Sequence, residues 1–139
     1  MEVEINFWAV LLATASSMVV GSFWYARSVF GNYWIKVAKV DAKQLNSKSV
    51  TPLILALVMG FITAYVLAHI SFLSNEFFEH SFLKDALTTA FWLWAGLTAA
   101  RLVVHDSFEG RPKGLTLLNI GHEFVTIMIM GLIIGLMKP

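Results

Sequence analysis

The sequence predicts an all-α membrane protein: four transmembrane helices in a bundle, with a short interfacial amphipathic helix between the first and second spans. Four apolar stretches take up most of the 139-residue chain, and short charged loops separate them. Each stretch has roughly the twenty residues that a helix needs to cross about 30 Å of hydrocarbon. The expected spans are residues 5–26, 52–72, 82–104 and 115–137, and they fill a single domain of residues 1–139.

Composition supports this class and excludes several others. The chain is 58% hydrophobic and only 14% charged, which leaves no room for a soluble domain beside the spans. It contains no cysteine, so disulfides, thiolate metal sites and thiol redox chemistry are excluded. A net charge of +1 gives no basic surface for nucleic acid, and no motif indicates a cofactor. We therefore expect the lipid bilayer, and not a nucleic acid, as the main partner.

The charged residues predict how the bundle is oriented. Short loops rich in lysine and arginine stay on the cytoplasmic side of a membrane. The first and third loops are basic, whereas the second loop and the N-terminus are mostly acidic. Both termini are therefore predicted to lie outside, which in a bacterial inner membrane is the periplasmic side. The acidic residues Glu2 and Glu4 stand where a signal peptide would be basic, so the first span is expected to be retained.

Two sequence signals predict helix starts, and a third predicts the interfacial helix. Thr51 precedes Pro52 at the start of the second span, and Ser81 is a candidate cap for the third. Residues 33–48 are too polar to cross the bilayer, but a helical wheel puts Trp34 on an apolar side and the lysines on another. That pattern is typical of a helix in the membrane interface. A solvated basic loop that only enforces topology is the alternative.

Small residues recur every four positions in the first two spans. The repeats are Ala9, Ala13, Ser17 and Gly21 in the first span and Ala56, Gly60, Ala64 and Ala68 in the second. Such repeats permit the close backbone approach on which helix association in lipid depends. We expect these two helices to pack tightly on each other or on a second copy. Gly131 and Gly135 form a similar motif in the fourth span, either for contact between copies or for packing within one.

Ionisable residues inside the bilayer are the main pointer to function, because each costs several kcal/mol unless it is paired or hydrated. Glu123 is predicted roughly 12 Å below the inner surface. The predicted polar cluster around it comprises Arg101, Asn119, His122, Glu123 and Thr126. Thr98 and His105 share a stripe with Arg101 on the third span. Arg101 is expected to pair with Glu123, directly or through one water, while Trp24 and Tyr25 close the inner end of the first span.

Three interpretations of this cluster stay open. It is a buried polar network that fixes helix register, or a hydrated vestibule in which Glu123 exchanges protons or binds a cationic group, or a metal site. The metal interpretation is the weakest, since His122 and Glu123 are adjacent and point about 100° apart on a helix. His105 and Asp106 could complete a site only if the third and fourth helices bring them together. No metal site is therefore predicted.

Two parts of the chain carry a family resemblance. The first part consists of Gly21-Ser22-Phe23-Trp24-Tyr25 followed by Val29-Phe30-Gly31-Asn32-Tyr33-Trp34. The second consists of Phe108-Glu109-Gly110-Arg111-Pro112, then Leu118-Asn119-Ile120-Gly121, then Met130-Gly131 and Gly135. In this order they resemble the bacterial family called domain of unknown function 1761. The resemblance covers essentially the whole chain and implies a small four-helix inner-membrane protein of unassigned activity. We expect Trp34, Glu109 and Arg111 on the cytoplasmic face, where a partner or a lipid headgroup would bind.

The predicted function is that of a small homo-oligomeric membrane protein with a transport or permeation role through the polar cluster. The ligand would be a small molecule or a lipid. The alternative is a non-catalytic accessory or lipid-binding subunit of a larger membrane complex. A membrane enzyme is the least supported class, since no nucleophile or metal-ligand spacing accompanies the His122-Glu123 pair.

Overall fold

A computed structural model describes residues 3–41 and 49–139, and it confirms the all-α class. The α-helices, numbered in chain order, are α1 (Phe7–Trp24), α2 (Asn32–Ala38), α3 (Thr51–Phe78), α4 (Phe82–Leu93), α5 (Ala100–Phe108) and α6 (Lys113–Met137). Two π-helical turns, Arg27–Gly31 and Trp94–Ala99, lead into α2 and α5. Four helices are long and apolar enough to cross a membrane: α1, α3, the continuous helix Phe82–Phe108, and α6. They are called the first to fourth spans below.

Each span packs against the next, and the fourth returns to pack against the first, so the four form a closed ring. The chain reverses direction at each loop. Asn6 joins the two ends of the chain, because its side-chain amide donates to the carbonyl oxygens of Met137 (3.2 Å) and Lys138 (2.9 Å). We call this the termini end of the bundle. The opposite end carries α2 and the loop at residues 108–113, and we call it the basic end.

The helix ends differ from the sequence expectations by a few residues: the first span ends at Trp24 and the third runs on to Phe108. The second span runs to Phe78, six residues beyond its predicted end at residue 72. Its N-cap is Val50, and Thr51 is already helical, so the start moves by one residue. Ser81 does occupy the N-cap of the third span, but its hydroxyl makes no capping hydrogen bond. Local propensity places such caps only to within a residue or two.

The hydrophobic core lies in the half of the bundle next to the termini end. It is formed by small residues together with a few large ones: Ala9, Val10, Ala13, Ala64, Leu67, Ala68, Phe82, Ala90, Ile127, Met130 and Ile134. The predicted close packing of the first two spans is confirmed, and a Cβ added to Gly60 would lie 2.8 Å from the Ser17 hydroxyl. Gly131 and Gly135 pack within the protomer, where Gly135 faces the backbone of Leu83. Absence of a side chain lets the helices approach closely in this half.

The helix predicted for residues 33–48 is shorter in the structure. It ends at Ala38, because Lys39 takes the left-handed conformation (φ 51°, ψ 43°) and its N–H bonds back to the carbonyl of Ile35. Trp34 is half-buried and Lys36 is exposed, which agrees with the predicted wheel. The prediction for residues 42–48 lies outside the described residues.

Candidate functional site

A cavity of about 480 Å³ opens in the half of the bundle next to the basic end. All four spans contribute to its wall. The side chains with polar groups are Ser17, Ser22, Tyr25, Thr63, Thr98, His122, Glu123 and Thr126, and the apolar wall includes Met18, Leu53, Met59, Ile127 and Met130. We call it the Glu123 cavity. Its combination of a long apolar wall and one carboxyl group suits an amphiphilic ligand.

The cavity exists because the second span separates from its neighbours near the basic end. Residues 51–59 are all exposed, whereas Ala64 and Leu67, further along the same helix, are fully buried. Gly60 lies at the point where the close packing begins. The second span therefore forms part of the core in one half of the bundle and one wall of an open cavity in the other.

His122 and Glu123 form the polar centre of this cavity. The Nδ1 atom of His122 lies 3.2 Å from Oε1 of Glu123, and its Nε2 lies 3.5 Å from the Thr126 hydroxyl. The imidazole ring packs against Tyr25 at a centroid distance of 5.1 Å and against the edge of Trp24 at 6.1 Å. The Glu123 side chain keeps 46% of its surface exposed. Its carboxyl group is thus held on one side and free on the other.

The predicted direct ion pair between Arg101 and Glu123 is wrong. No Arg101 nitrogen lies within 4.0 Å of a Glu123 carboxyl oxygen. Both residues nevertheless line a second cavity of about 490 Å³ that adjoins the first. A helical wheel fixes which face a residue occupies, but not its height against the next helix or the direction of a long side chain. A link through one water stays a prediction.

We call this second cavity the Arg101 groove. It is lined by Arg101, His105 and Asn119 together with Leu97 and Leu102, and it shares Tyr25, Thr98 and Glu123 with the Glu123 cavity. The π-helical turn Trp94–Ala99 forms part of its wall, and the Trp94 indole donates to the Ile120 carbonyl across the helix interface (3.1 Å). Such turns are often found at functional sites.

The aromatic residues predicted at the inner end dock the first span onto the fourth. The Tyr25 hydroxyl donates to Oδ1 of Asn119 at 3.1 Å, and the Trp34 ring contacts Tyr25 edge-on at 5.5 Å. Trp24 lies over Gly121, where an added Cβ would be 3.3 Å from the indole. The Trp24 Nε1 atom is buried and finds no hydrogen-bond partner among the described residues. These contacts fix one wall of the cavity.

Asp106, Glu109 and Arg111 lie apart from Glu123 at the basic end, Asp106 in the last turns of α5 and the other two in the loop that follows. Asp106 is buried and accepts a hydrogen bond from the Thr116 hydroxyl at 2.7 Å. Arg111 binds Glu109 at 2.6 Å and lies 3.7 Å from Asp106. These three side chains thus fasten the loop between the third and fourth spans, and they do not line either cavity.

The candidates for a metal site are not brought together. His105 faces the Arg101 groove, while the neighbouring Asp106 turns to Thr116. Within the described ranges, no group of three or more His, Asp or Glu side chains has the geometry to hold a metal ion. His69 on the second span is only partly buried as a residue, and its buried Nδ1 has no hydrogen-bond partner among the described residues.

One polar cluster was missed by the sequence analysis. At the termini end, Asp85 is only 3% exposed and accepts from Asn75 Nδ2 at 2.8 Å, while His80 Nδ1 lies 3.1 Å away. Asn75 also donates to the His80 carbonyl at 2.7 Å. An aspartate in the first turn of a helix could have signalled a structural role, but its partners come from the preceding helix and loop. The cluster fastens the loop between the second and third spans.

The four apolar helices define the chain as a multi-pass membrane protein. The chain belongs to the family described as protein of unknown function (DUF1761), whose model matches residues 8–135. No curated protein and no solved structure matches the chain.

The two parts of the chain that carry the family resemblance meet in the fold. Trp24 packs on Gly121, the Tyr25 hydroxyl bonds Asn119, and the Tyr33 side chain packs closely on Gly114. Residues about a hundred positions apart in sequence therefore build one wall at the basic end. Gly31 permits this arrangement, because a Cβ there would overlap the Tyr25 carbonyl oxygen.

Proposed function

We propose that the protein binds small amphiphilic molecules with a cationic group in the Glu123 cavity and moves them across the membrane. The apolar wall would hold the hydrocarbon part of the ligand, and the Glu123 carboxylate would hold the cationic group. The observation that supports the proposal is the half-exposed carboxyl group of Glu123, which faces an open cavity. Among the residues that the structure describes, no lysine or arginine lies within ion-pair distance of it.

The free-energy cost of placing the Glu123 carboxyl group in a membrane span is the physical reason to connect it with function. An ionisable side chain within a membrane span is expensive unless it is paired, hydrated or bound to a ligand. His122 provides one contact for Glu123 at 3.2 Å, and the cavity provides room for the rest. A residue needed only to fix helix register would instead be closed in by its partners, as Asp85 is at the termini end.

Two features support movement of the ligand as well as binding. The cavity is closed toward the termini end by the small-residue core, so an alternating opening would expose the site to each side in turn. The closed half also buries polar side chains, Thr14, Ser71 and Thr89, on three different spans. Ser71 Oγ has no hydrogen-bond partner among the described residues. In the proposed transport step, such hydroxyl groups would offer hydrogen bonds to the ligand in the closed half.

Binding of decyltrimethylammonium to the protein in lipid nanodiscs tests the proposed site. Glu123→Gln keeps the size of the side chain but removes the charge, and we expect the affinity to fall by about fivefold, the value of a partly exposed ion pair. Glu76→Gln is the matched control, since Glu76 is exposed at the termini end. Equal affinity of wild type and Glu123→Gln would overturn the proposal.

Filling the cavity tests the same site without changing any charge. Ala56 lines the cavity, while its neighbour Leu57 is exposed on the same helix and does not. Ala56→Phe should therefore abolish measurable binding of decyltrimethylammonium, whereas Leu57→Phe should leave it unchanged. If both variants bind as wild type does, the ligand occupies another place.

Transport is tested separately from binding. In proteoliposomes, a cationic dye such as ethidium should cross the membrane faster with wild-type protein than with Glu123→Gln. Binding that depends on Glu123 without any Glu123-dependent transfer would favour the alternative, an accessory or lipid-binding subunit of a larger membrane complex.

Orientation and location form a second part of the proposal. Lys36, Arg111 and Lys113 lie at the basic end, and the positive-inside tendency supports a cytoplasmic basic end with both termini outside a bacterial inner membrane. The cavity would then open toward the cytoplasm. Because the chain lacks cysteine, single-cysteine variants can be labelled without background. A cysteine at position 113 should react from the cytoplasm and one at position 76 from outside, and the reverse pattern would contradict this orientation.

Self-association is a third part of the proposal. The small-residue repeats that suggested it are used inside the protomer, at Ala13, Ala64 and Gly131 among others. A homo-oligomer would therefore use other faces, and one candidate is formed by Ile54, Leu55 and Val58 of the second span, which are exposed and do not line the Glu123 cavity. Native mass spectrometry from nanodiscs should show a dimer or trimer. A strict monomer would contradict self-association and leave the binding site unaffected.

A further inference from the structure

We infer that the ligand is a zwitterionic amphiphile, whose anionic group is held by Arg101 and His105 while its cationic group lies at Glu123. This inference rests on the proposed function of the Glu123 cavity and specifies its ligand. The supporting feature is the Arg101 groove, which shares the wall formed by Tyr25, Thr98 and Glu123 with the cavity. A molecule bound at Glu123 can therefore extend into the groove.

Arg101 and His105 are available for a ligand. Both are exposed, and neither makes an ion pair or a side-chain hydrogen bond with the part of the chain that the structure describes. The acidic residues nearest in sequence are engaged elsewhere, since Asp106 accepts from Thr116 and Glu109 binds Arg111. The groove thus offers hydrogen-bond donors and a positive charge to an anionic group, at the edge of a cavity that offers a carboxylate.

Helix register sets the order of the two charges. Asp106 contacts Thr116, which fixes the third span against the fourth. At 1.5 Å per residue, Arg101 and His105 then lie roughly 3 and 9 Å nearer the basic end than Glu123. On the other side of Glu123 the wall is mostly apolar, with Met59, Ile127 and Met130, and it also carries the hydroxyl groups of Ser17, Thr63 and Thr126. From the closed end outward, the site therefore presents a mostly apolar wall, a carboxylate, and then the Arg101 guanidinium and the His105 imidazole.

That order selects one class of zwitterion. The ligand must carry a hydrocarbon tail, then a cationic group, and then an anionic group at its far end, as in an N-alkyl betaine. An ethanolamine phospholipid has the reverse order, because its phosphate lies between the tail and the amine. The site therefore discriminates two zwitterions of the same net charge by the sequence of their charges.

Three probes with the same ten-carbon tail test this inference on the full-length protein in nanodiscs. They are decyltrimethylammonium, the betaine N-decyl-N,N-dimethylglycine, and decyl phosphoethanolamine. Wild type should bind the betaine at least about threefold more tightly than decyltrimethylammonium, as expected for one added partly exposed ion pair. The phosphoethanolamine probe should bind more weakly than the betaine.

Substitutions of Arg101 and His105 test whether these residues cause the preference for the betaine. Arg101→Gln and His105→Gln should each bring the ratio of the betaine affinity to the decyltrimethylammonium affinity closer to one. Binding of decyltrimethylammonium should persist in both variants, and this shows that they are folded. Lys113→Gln is the control, because Lys113 is exposed at the same end but lines neither cavity. It should leave the ratio unchanged.

The outcomes separate the two proposals. If decyltrimethylammonium binds in a Glu123-dependent way and the betaine has no advantage, or the advantage survives in both variants, this inference is wrong and the proposed function stands. A phosphoethanolamine probe that binds more tightly than the betaine would also overturn it. If no probe binds in a Glu123-dependent way, the proposed function fails and the inference fails with it.

Discussion

The two halves of the bundle use the same four helices in opposite ways. Next to the termini end, alanine and glycine let the helices touch, and Val10, Leu67 and Met130 are fully enclosed. Next to the basic end, the second span leaves its neighbours, and polar and aromatic side chains surround a cavity of about 480 Å³. In lipid there is no hydrophobic force to close such a gap, so residue size and polarity decide where helices pack and where they separate.

The carboxyl groups of the two halves show the same contrast. Asp85 is 3% exposed and receives hydrogen bonds from Asn75 and His80, so its bonding capacity is used within the fold. Glu123 is 46% exposed at its side chain, and its one hydrogen-bond partner within the described part of the chain is the neighbouring His122. A buried carboxyl group with several partners stabilises a loop, whereas one with a free side in a cavity is available to a ligand.

The largest expected effect is on the closed half. Gly135→Val should lower the free energy of unfolding by about 3 kcal/mol, because an added Cβ would lie 2.9 Å from the Leu83 Cα and the backbone cannot give way cheaply. Thermal unfolding in a single detergent measures this. Gly96→Ala is the control, since nothing lies within 4 Å of the added atom, and its stability should be within about 0.5 kcal/mol of wild type. Equal stability of both variants would contradict close packing at Gly135.

A smaller effect is expected in the loop at the basic end. Thr116→Val removes the hydroxyl that donates to the buried Asp106 at 2.7 Å, and it should cost about 1 to 2 kcal/mol, the penalty for an unsatisfied buried group. Thermal unfolding again provides the measurement. Ser107→Ala is the comparison, because Ser107 is exposed and its hydroxyl bonds only to the Val103 carbonyl. A cost as large for Ser107→Ala as for Thr116→Val would mean that Asp106 does not fasten the loop.

The smallest effect concerns Arg101 and Glu123 in the absence of ligand. Since no direct ion pair joins them, the losses of stability in Arg101→Leu and Glu123→Leu should add in the double variant to within about 1 kcal/mol, which allows for a link through one water. A larger coupling would show that the two side chains interact directly. It would also mean that Arg101 competes with a ligand for Glu123.

Sequence reasoning predicted the class of fold well because hydrophobic length is a property of the chain itself. The four spans and the packing repeats at Ala13 and Ala64 follow from length and residue size alone. Helical spacing also put Arg101 on one stripe and Asn119 and Glu123 on another, and in the structure these three residues line one groove.

What sequence reasoning could not predict depends on contacts between helices. The π-helical turn Trp94–Ala99 has no marker in the sequence, and it lies where the third span borders both cavities. The contribution of Thr63 to the cavity depends on where the second span separates from its neighbours. The end of α2 at Ala38 depends on the left-handed conformation of Lys39, a residue type that seldom adopts it.

The most direct test of the central claim, a cavity open on one side of a closed core, is the reactivity of two single-cysteine variants in nanodiscs. Thr98→Cys lies in the wall of the Glu123 cavity, and Ser71→Cys lies in the closed half, where Ser71 is fully buried. A small cationic thiol reagent such as trimethylammonioethyl methanethiosulfonate should modify the cysteine at position 98 readily, and decyltrimethylammonium should slow that reaction. The cysteine at position 71 should stay unmodified until the protein is denatured. Protection of both positions, or equal reactivity of both, would contradict the account.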